Sequence, residues 1–183
     1  MKSEKFDIAK IHKKYPILLT DSRSLTDPAV TLFFALKTPH NDGHKYIREL
    51  YQKGVRQFVI QHDFPRMDAM PEAVCYQVEN TLTALQEIAA YHRKQFNIPI
   101  IGITGSNGKT IVKEWLYQLL HDELSIVRSP RSYNSQTGVP LSVWQLNKET
   151  ELGIFEAGIS LPGEMQHLES IILPSVGIFT TLG

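Results

Sequence analysis

The chain carries one cysteine, Cys75, in 183 residues. No intramolecular disulfide can form, so an apolar core has to hold the fold, as expected in a reducing compartment. The apolar surroundings of Cys75 in AVCYQV read as a strand interior. An excess of either charge is also missing, since 19 Lys and Arg balance 19 Asp and Glu. Non-specific nucleic-acid affinity comes mainly from Lys and Arg neutralising phosphates, so a broad basic surface and a nucleic-acid partner are not expected. Long apolar runs are absent too: nothing approaches the roughly 20 residues that cross a bilayer. The opening MKSEKFDIAK places Glu4 and Asp7 where a signal peptide needs an apolar stretch,. The seven histidines show no H-E-x-x-H or Cys/His ligand spacing, which argues against a zinc site,. These absences together lead to the expectation of a soluble, cytoplasmic protein without membrane insertion.

What is present is enough for a packed core: 42% of the residues are hydrophobic, and the length allows one domain or two small ones. Short apolar runs alternate with helical patterns, which predicts an α/β fold on a largely parallel sheet. PILLT, LFFAL, QFVIQ and VCYQV read as strands, and GHKYIRELYQKG as a helix stopping at Gly54. After Asn80, a residue suited to an N-cap, Leu82, Leu85, Ile88, Ala89, His92 and Phe96 fall on one face of a helix,. Asn97-Ile98-Pro99 then interrupts the pattern, because the residue before a proline avoids helical geometry,. A boundary is expected there, giving domains at 1–97 and 98–183. The second part continues as strand PIIGI, a helix, strand SIVR, a polar loop, helix VPLSVWQLN, strand LGIFEAG, helix EMQHLESII and strand VGIFTT. In its first helix Val112, Trp115, Leu116, Leu119 and Leu120 form an apolar stripe, and Trp115 and Trp144 read as core packing,.

Between PIIGI and that helix lies Thr104-Gly105-Ser106-Asn107-Gly108-Lys109-Thr110. A strand, glycines, Gly-Lys-Thr and a helix in this order are the context a P-loop requires. Gly105 and Gly108 allow successive backbone N–H groups to face an anion, and the helix N-terminus adds its positive dipole end,. Lys109 then reaches the terminal phosphates and the Thr110 hydroxyl suits Mg²⁺,. The spacing is one residue short of the common rule, because position 103 is isoleucine and the nearest upstream glycine is Gly102.

This loop, TGSNGKT, resembles the ATP loop of the Mur ligases, which join amino acids to a UDP-linked muramic acid. Three further segments are similar to that family and follow its order: TDSRSL with LFFALKTPHNDGHKYI, then SYNSQTGVPLSV, then FEAGISLPGEM. The last two resemble the branch of the family that adds D-alanyl-D-alanine. The resemblance implies a small N-terminal α/β domain for the UDP substrate, followed by the first part of a P-loop ATPase domain. ATP and Mg²⁺ are the implied cofactors, and UDP-N-acetylmuramoyl-tripeptide and D-alanyl-D-alanine the implied substrates.

Carried onto this sequence, the resemblance makes Lys109 and Glu156 catalytic and Thr110 and Glu156 the Mg²⁺ ligands. ATP falls to Thr104, Gly105, Ser106, Asn107, Gly108, Lys109, Thr110 and Asn134, although Asn134 also suits the muramoyl substrate or a simple turn,. Ser22 and Arg23, with Asn41, Asp42, Gly43 and His44, form the uridine-diphosphate end, where Asp42 or Gly43 is equally a helix cap,. The closing TTLG resembles the strand leading to the family's later catalytic residues, so the chain is expected to be a fragment that does not ligate alone and leaves a sheet edge uncovered,. The N-terminal wording is also similar to forms fused to an alanine racemase, but no racemase lies within these residues. Two other classes stay open on the residues themselves: a free-standing P-loop nucleotide-binding or kinase-like protein, and a non-catalytic module binding a UDP ligand.

Overall fold

The computed structural model describes residues 2–39, 41–64, 70–159 and 162–181. The chain forms two compact units, Met1–Leu85 and Gln86–Gly183. Statements of number below concern the described residues.

In the first unit, β1 (Lys2–Glu4), β2 (Ile17–Leu19), β3 (Thr31–Phe34), β6 (Gln57–Gln61) and β7 (Val74–Val78) make a parallel sheet of order β1-β7-β6-β3-β2. A short antiparallel pair, β4 (Lys37–Thr38) with β5 (Asn41–Asp42), follows β3. The helices are α1 (Ile8–Lys14) and α2 (Ile47–Gln52). The central strands are buried on both faces and read as near-continuous apolar runs, the pattern of a covered parallel sheet. Leu32, Phe33, Phe34, Phe58, Val59 and Ile60 are all fully buried, and each contributes roughly 1.5–3 kcal/mol by leaving water.

β1, α1 and the β4–β5 pair had no counterpart in the sequence reading. β1 is exposed throughout, so it carries no alternation; it adds to β7 by backbone pairing and one exposed side-chain bond, Ser3 Oγ donating to Gln77 Oε1 at 3.2 Å. α1 is short and buries only Ile11; Asp7 caps it by accepting from the Lys10 N–H at 3.2 Å,. The expected helix over residues 43–54 is instead a 3₁₀ turn, Gly43–Tyr46, followed by α2, and it ends at Gly54 with φ 101°.

Cys75 is fully buried in β7, and burial pushes its thiol up to about 11. Two outcomes follow. Iodoacetamide at pH 8 should label native protein at a negligible rate and urea-unfolded protein readily, and fast native labelling would contradict this burial. The raised value also means the neutral thiol's contribution is intact below about pH 9 and lost as pH climbs toward about 11,.

α3 (Thr81–Arg93) begins in the first unit and runs into the second. Asn80 caps it by accepting from the Leu82 and Thr83 N–H groups. The second unit holds β8 (Ile100–Thr104), α4 (Lys109–Leu120), β9 (Ile126–Arg128), α5 (Gly138–Val143), β10 (Leu152–Glu156), α6 (Glu164–Ile172) and β11 (Val176–Phe179). Its sheet is parallel, in the order β11-β8-β10-β9.

Side-chain parity along β10 decides what each face does. Leu152 and Ile154 pack with Val112, Leu116 and Leu120 of α4 on one face. Phe155 and Ala157 pack with α5 and α6 on the other, around Val139, Val143, Leu168 and Ile171. The period of two therefore turns Glu156 to the α4 face.

The same geometry corrects the reading of α4. Trp115 and Leu119 are not core residues, being 63% and 76% exposed. The buried centre of the helix is Lys113, fully enclosed, and Trp115 sits about 200° around the axis from it,. Trp144 does pack, its ring 4.5 Å from that of His92.

Candidate nucleotide and uridine-diphosphate sites

β8 ends at Thr104, whose hydroxyl donates to the Ala157 carbonyl at 2.9 Å and so ties the ends of β8 and β10 together. The chain then turns through Gly105, with φ 133°, and Gly108, with φ 84°, into α4. Both values lie where only glycine sits without strain. Ser106 donates its N–H to the Thr181 carbonyl at 2.7 Å, and Asn107 pairs with Thr181 as an isolated bridge. The segment after β11 thus fixes the outer wall of the loop. Ser106, Asn107 and Gly108 are exposed at the mouth of the turn. Lys109 Nζ folds back to donate to the Gly105 carbonyl at 2.6 Å.

Thr110, the next residue of α4, donates its hydroxyl to Glu156 Oε2 at 3.0 Å. Glu156 is fully buried at the C-terminal end of β10, and its N–H donates to Ser129 Oγ at 3.1 Å. Its Oε1 receives no well-directed hydrogen bond among the described residues. A buried carboxylate oxygen with unused lone pairs, beside a hydroxyl at the mouth of a phosphate loop, fits a hard cation such as Mg²⁺. No group of three or more His, Cys, Asp or Glu side chains positioned for a metal occurs among the described residues. A cation here would take few ligands from the chain, as Mg²⁺ beside phosphates does.

Asn134 sits in the loop between β9 and α5. Its carbonyl accepts from the Gly158 N–H at 2.8 Å, which sets the loop against the exit of β10. Asn134 and Lys109 line one cavity of about 710 Å³ with Thr104, Gly105, Ser106 and Glu164. That volume suits a nucleotide or a substrate of similar size.

The sequence reading missed Lys113. Its Nζ lies 2.9 Å from Glu156 Oε1 and 3.2 Å from Glu114 Oε1, and it donates to the carbonyls of Ser129, at 2.8 Å, and Arg131. The signal was there to be used: one lysine on the inward side of an amphipathic helix, between Val112 and Leu116. A buried ammonium must have a partner.

In the first unit, Asp21 caps the 3₁₀ turn Ser22–Ser24 by accepting from the Arg23 N–H, and pairs with the Arg23 guanidinium at 2.6 Å. Hydrogen bonding from Arg23 holds the Asp21 carboxyl below its usual range. Ser22 is buried, while the Arg23 side chain is 87% exposed. Asn41 and Asp42 are exposed in β5. Gly43 is packed so closely that a Cβ would stand 2.8 Å from the Leu36 nitrogen. His44 is buried, with Nδ1 2.6 Å from Asp42 Oδ1 and Nε2 accepting from the Gln61 N–H at 3.1 Å. Burial works to raise the Asp42 carboxyl, but its hydrogen bonds with the His44 backbone and ring outweigh that and lower it. The structure therefore gathers Lys109, Thr110, Glu156 and Asn134 around one loop, and spends the His44 ring on holding Asp42. His40, Ser160, Leu161, Leu182 and Gly183, which fall in quoted motifs, lie outside the described residues.

A strand, glycine turn and helix, with a buried glutamate at the end of the adjacent parallel strand, have the arrangement of a nucleotide-binding domain. Residues 103–183 match the Mur ligase middle domain, and most of the chain is similar to curated ligases of that family. A curated UDP-N-acetylmuramoyl-tripeptide–D-alanyl-D-alanine ligase of Treponema pallidum is 38% identical over 159 residues, covering 83% of this chain and 35% of the relative. The protein of the same name from Bacillus subtilis is 30% identical, covering 90% of this chain and 35% of its own length. Among solved structures, the D-alanyl-D-alanyl ligase of Acinetobacter baumannii superposes with a TM-score of 0.81 at 27% identity, over 94% of this chain and 40% of that one. The MurF ligase of Thermotoga maritima, solved with ADP, gives 0.78 at 28% identity, over 94% of this chain and 38% of that one. The chain thus spans little more than a third of the length of the curated relatives it matches. Among the described residues, no helix is long and apolar enough to cross a membrane.

Proposed function

We propose that this chain is the substrate-binding and phosphate-loop part of a cytoplasmic ATP-dependent ligase joining D-alanyl-D-alanine to UDP-N-acetylmuramoyl-tripeptide. The observation that carries the reading is the Lys109, Thr110 and Glu156 constellation at the C-terminal ends of β8 and β10. Its support comes from relatives of that name, one of them solved with ADP.

In this reading residues 1–97 serve the uridine-diphosphate end and residues 98–183 the ATP. Arg23 offers a planar fork to the diphosphate with Ser22 beside it. Asn41, Asp42 and Gly43 border the same end, and His44 acts through the Asp42 it holds. Thr104 to Thr110 cradle the ATP phosphates through backbone N–H groups and Lys109, and Asn134 faces the reacting groups from across the cavity. Thr110 and Glu156 hold Mg²⁺, whose charge offsets that of the phosphates. The tripeptide's terminal carboxylate attacks the γ-phosphorus and ADP leaves, giving an acyl phosphate. The D-alanyl-D-alanine amine then attacks the acyl carbon, loses a proton and expels phosphate. The protein's contribution is placement and charge neutralisation.

Calorimetric titration tests this directly. The chain should bind both Mg-ATP and UDP-N-acetylmuramoyl-tripeptide, and Arg23→Ala should weaken the uridine ligand about tenfold, the worth of one charge-assisted phosphate contact, while leaving Mg-ATP unchanged. Mg-ATP binding without affinity for the uridine ligand would instead favour a free-standing nucleotide-binding protein.

A further inference from the structure

We infer that Lys113 is a positioning residue that fixes the Glu156 carboxylate and the Asn134 loop together; the inference rests on the reading of Glu156 as a Mg²⁺ ligand. Lys113 is fully enclosed and so is Glu156. An ammonium has three hydrogens. Lys113 donates to the Ser129 and Arg131 carbonyls, and its charge meets the carboxylates of Glu156 and Glu114 at 2.9 and 3.2 Å. Ser129 and Arg131 begin the loop that carries Asn134, and Arg131 adopts φ 49°, an unfavourable left-handed backbone for a side chain of its size,. The ammonium therefore ties the second turn of α4, the exit of β9 and the end of β10 to one point.

The arrangement differs from a pair that only satisfies burial. Glu156 Oε2 receives the Thr110 hydroxyl, and Oε1 meets Lys113 at an ionic distance without a well-directed hydrogen bond, so lone pairs of Oε1 stay available. The lysine charge orients the carboxylate without using up its donor capacity. It sits four positions after Lys109 and three after Thr110, so one helical face bears the phosphate contact, the cation contact and the group that aims the carboxylate,.

Two measurements on the intact chain decide the matter. The first is ADP affinity as a function of Mg²⁺ concentration. Lys113→Met should raise the Mg²⁺ concentration needed for half-maximal tightening about tenfold while moving ADP affinity in EDTA by less than twofold. A purely structural lysine would lower both affinities together, and an unchanged Mg²⁺ dependence would equally overturn the inference. The second needs no nucleotide: urea unfolding of Lys113→Met, Glu156→Gln and the double variant. Lys113→Met should lower the folding constant about 100-fold in the wild-type background and less than tenfold beside Glu156→Gln, because a buried charge left alone is the costly state. Equal losses in both backgrounds would remove the coupling. If wild type binds ADP with no response to Mg²⁺, the metal reading of Glu156 fails, and the unfolding cycle still decides whether Lys113 and Glu156 act as a pair.

Discussion

Lys109→Ala is expected to weaken Mg-ATP binding about 100-fold, or roughly 2.7 kcal/mol, with little effect on stability. The asymmetry follows from what the side chain touches. In the structure Lys109 Nζ donates to the Gly105 carbonyl of its own loop, a local contact at 2.6 Å. Its removal frees one carbonyl at a partly open site, which costs less than about 1 kcal/mol. With ATP bound, the same ammonium faces phosphate oxygens in a cavity walled by Thr104 and Glu164, where charge-assisted bonds are about twice as strong as neutral ones,. Calorimetry gives the affinity and urea unfolding the stability. A variant that binds Mg-ATP within threefold of wild type would remove Lys109 from the phosphate site.

Gly105→Ala should be the most destabilising change in the loop, by about 3 kcal/mol, lowering the midpoint of thermal unfolding by roughly 15 °C for a unit of this size. Two costs add. A φ of 133° is unfavourable for any side chain, worth about 1–3 kcal/mol,. A Cβ there would also stand 2.1 Å from Thr180 Oγ1 and 3.1 Å from two backbone atoms, the Thr180 nitrogen and the Thr181 oxygen. Rotating Thr180 away would sacrifice its hydroxyl bond to the Thr104 carbonyl, and the backbone contacts would remain tight. Gly108→Ala is the control. Its φ is also positive, but the nearest atom to a Cβ is Thr180 Cβ at 3.9 Å, so about 1 kcal/mol of backbone strain is the whole expectation,. Equal midpoint shifts in the two variants would show that the packing against Thr180 does not matter.

The parts of this molecule that were legible in sequence are those whose information is local. QFVIQ and VCYQV are strands over their full predicted lengths, because central parallel strands are apolar on both faces,. EMQHLESII is likewise a helix throughout. The phosphate loop was visible because strand, glycines, Lys109 and helix are contiguous. β1 was invisible, since an exposed edge strand needs only a backbone to pair with. Trp115 was misplaced for a different reason. Hydrophobicity alone put the tryptophan inside, whereas the inward position is occupied by a lysine whose partner, Glu156, arrives from β10. A charge that is buried because a distant carboxylate meets it leaves no periodic trace.

The bond from Lys109 to the Gly105 carbonyl has a thermodynamic consequence. The lysine's rotamers are already restricted before any nucleotide arrives, so most of the roughly 2 kcal/mol of side-chain entropy was spent during folding,. In the proposed function, nucleotide capture would be an exchange, one carbonyl given up for a phosphate oxygen, and the enthalpy change at this residue would be the difference between two short bonds. The loop would thereby gain affinity through preorganisation.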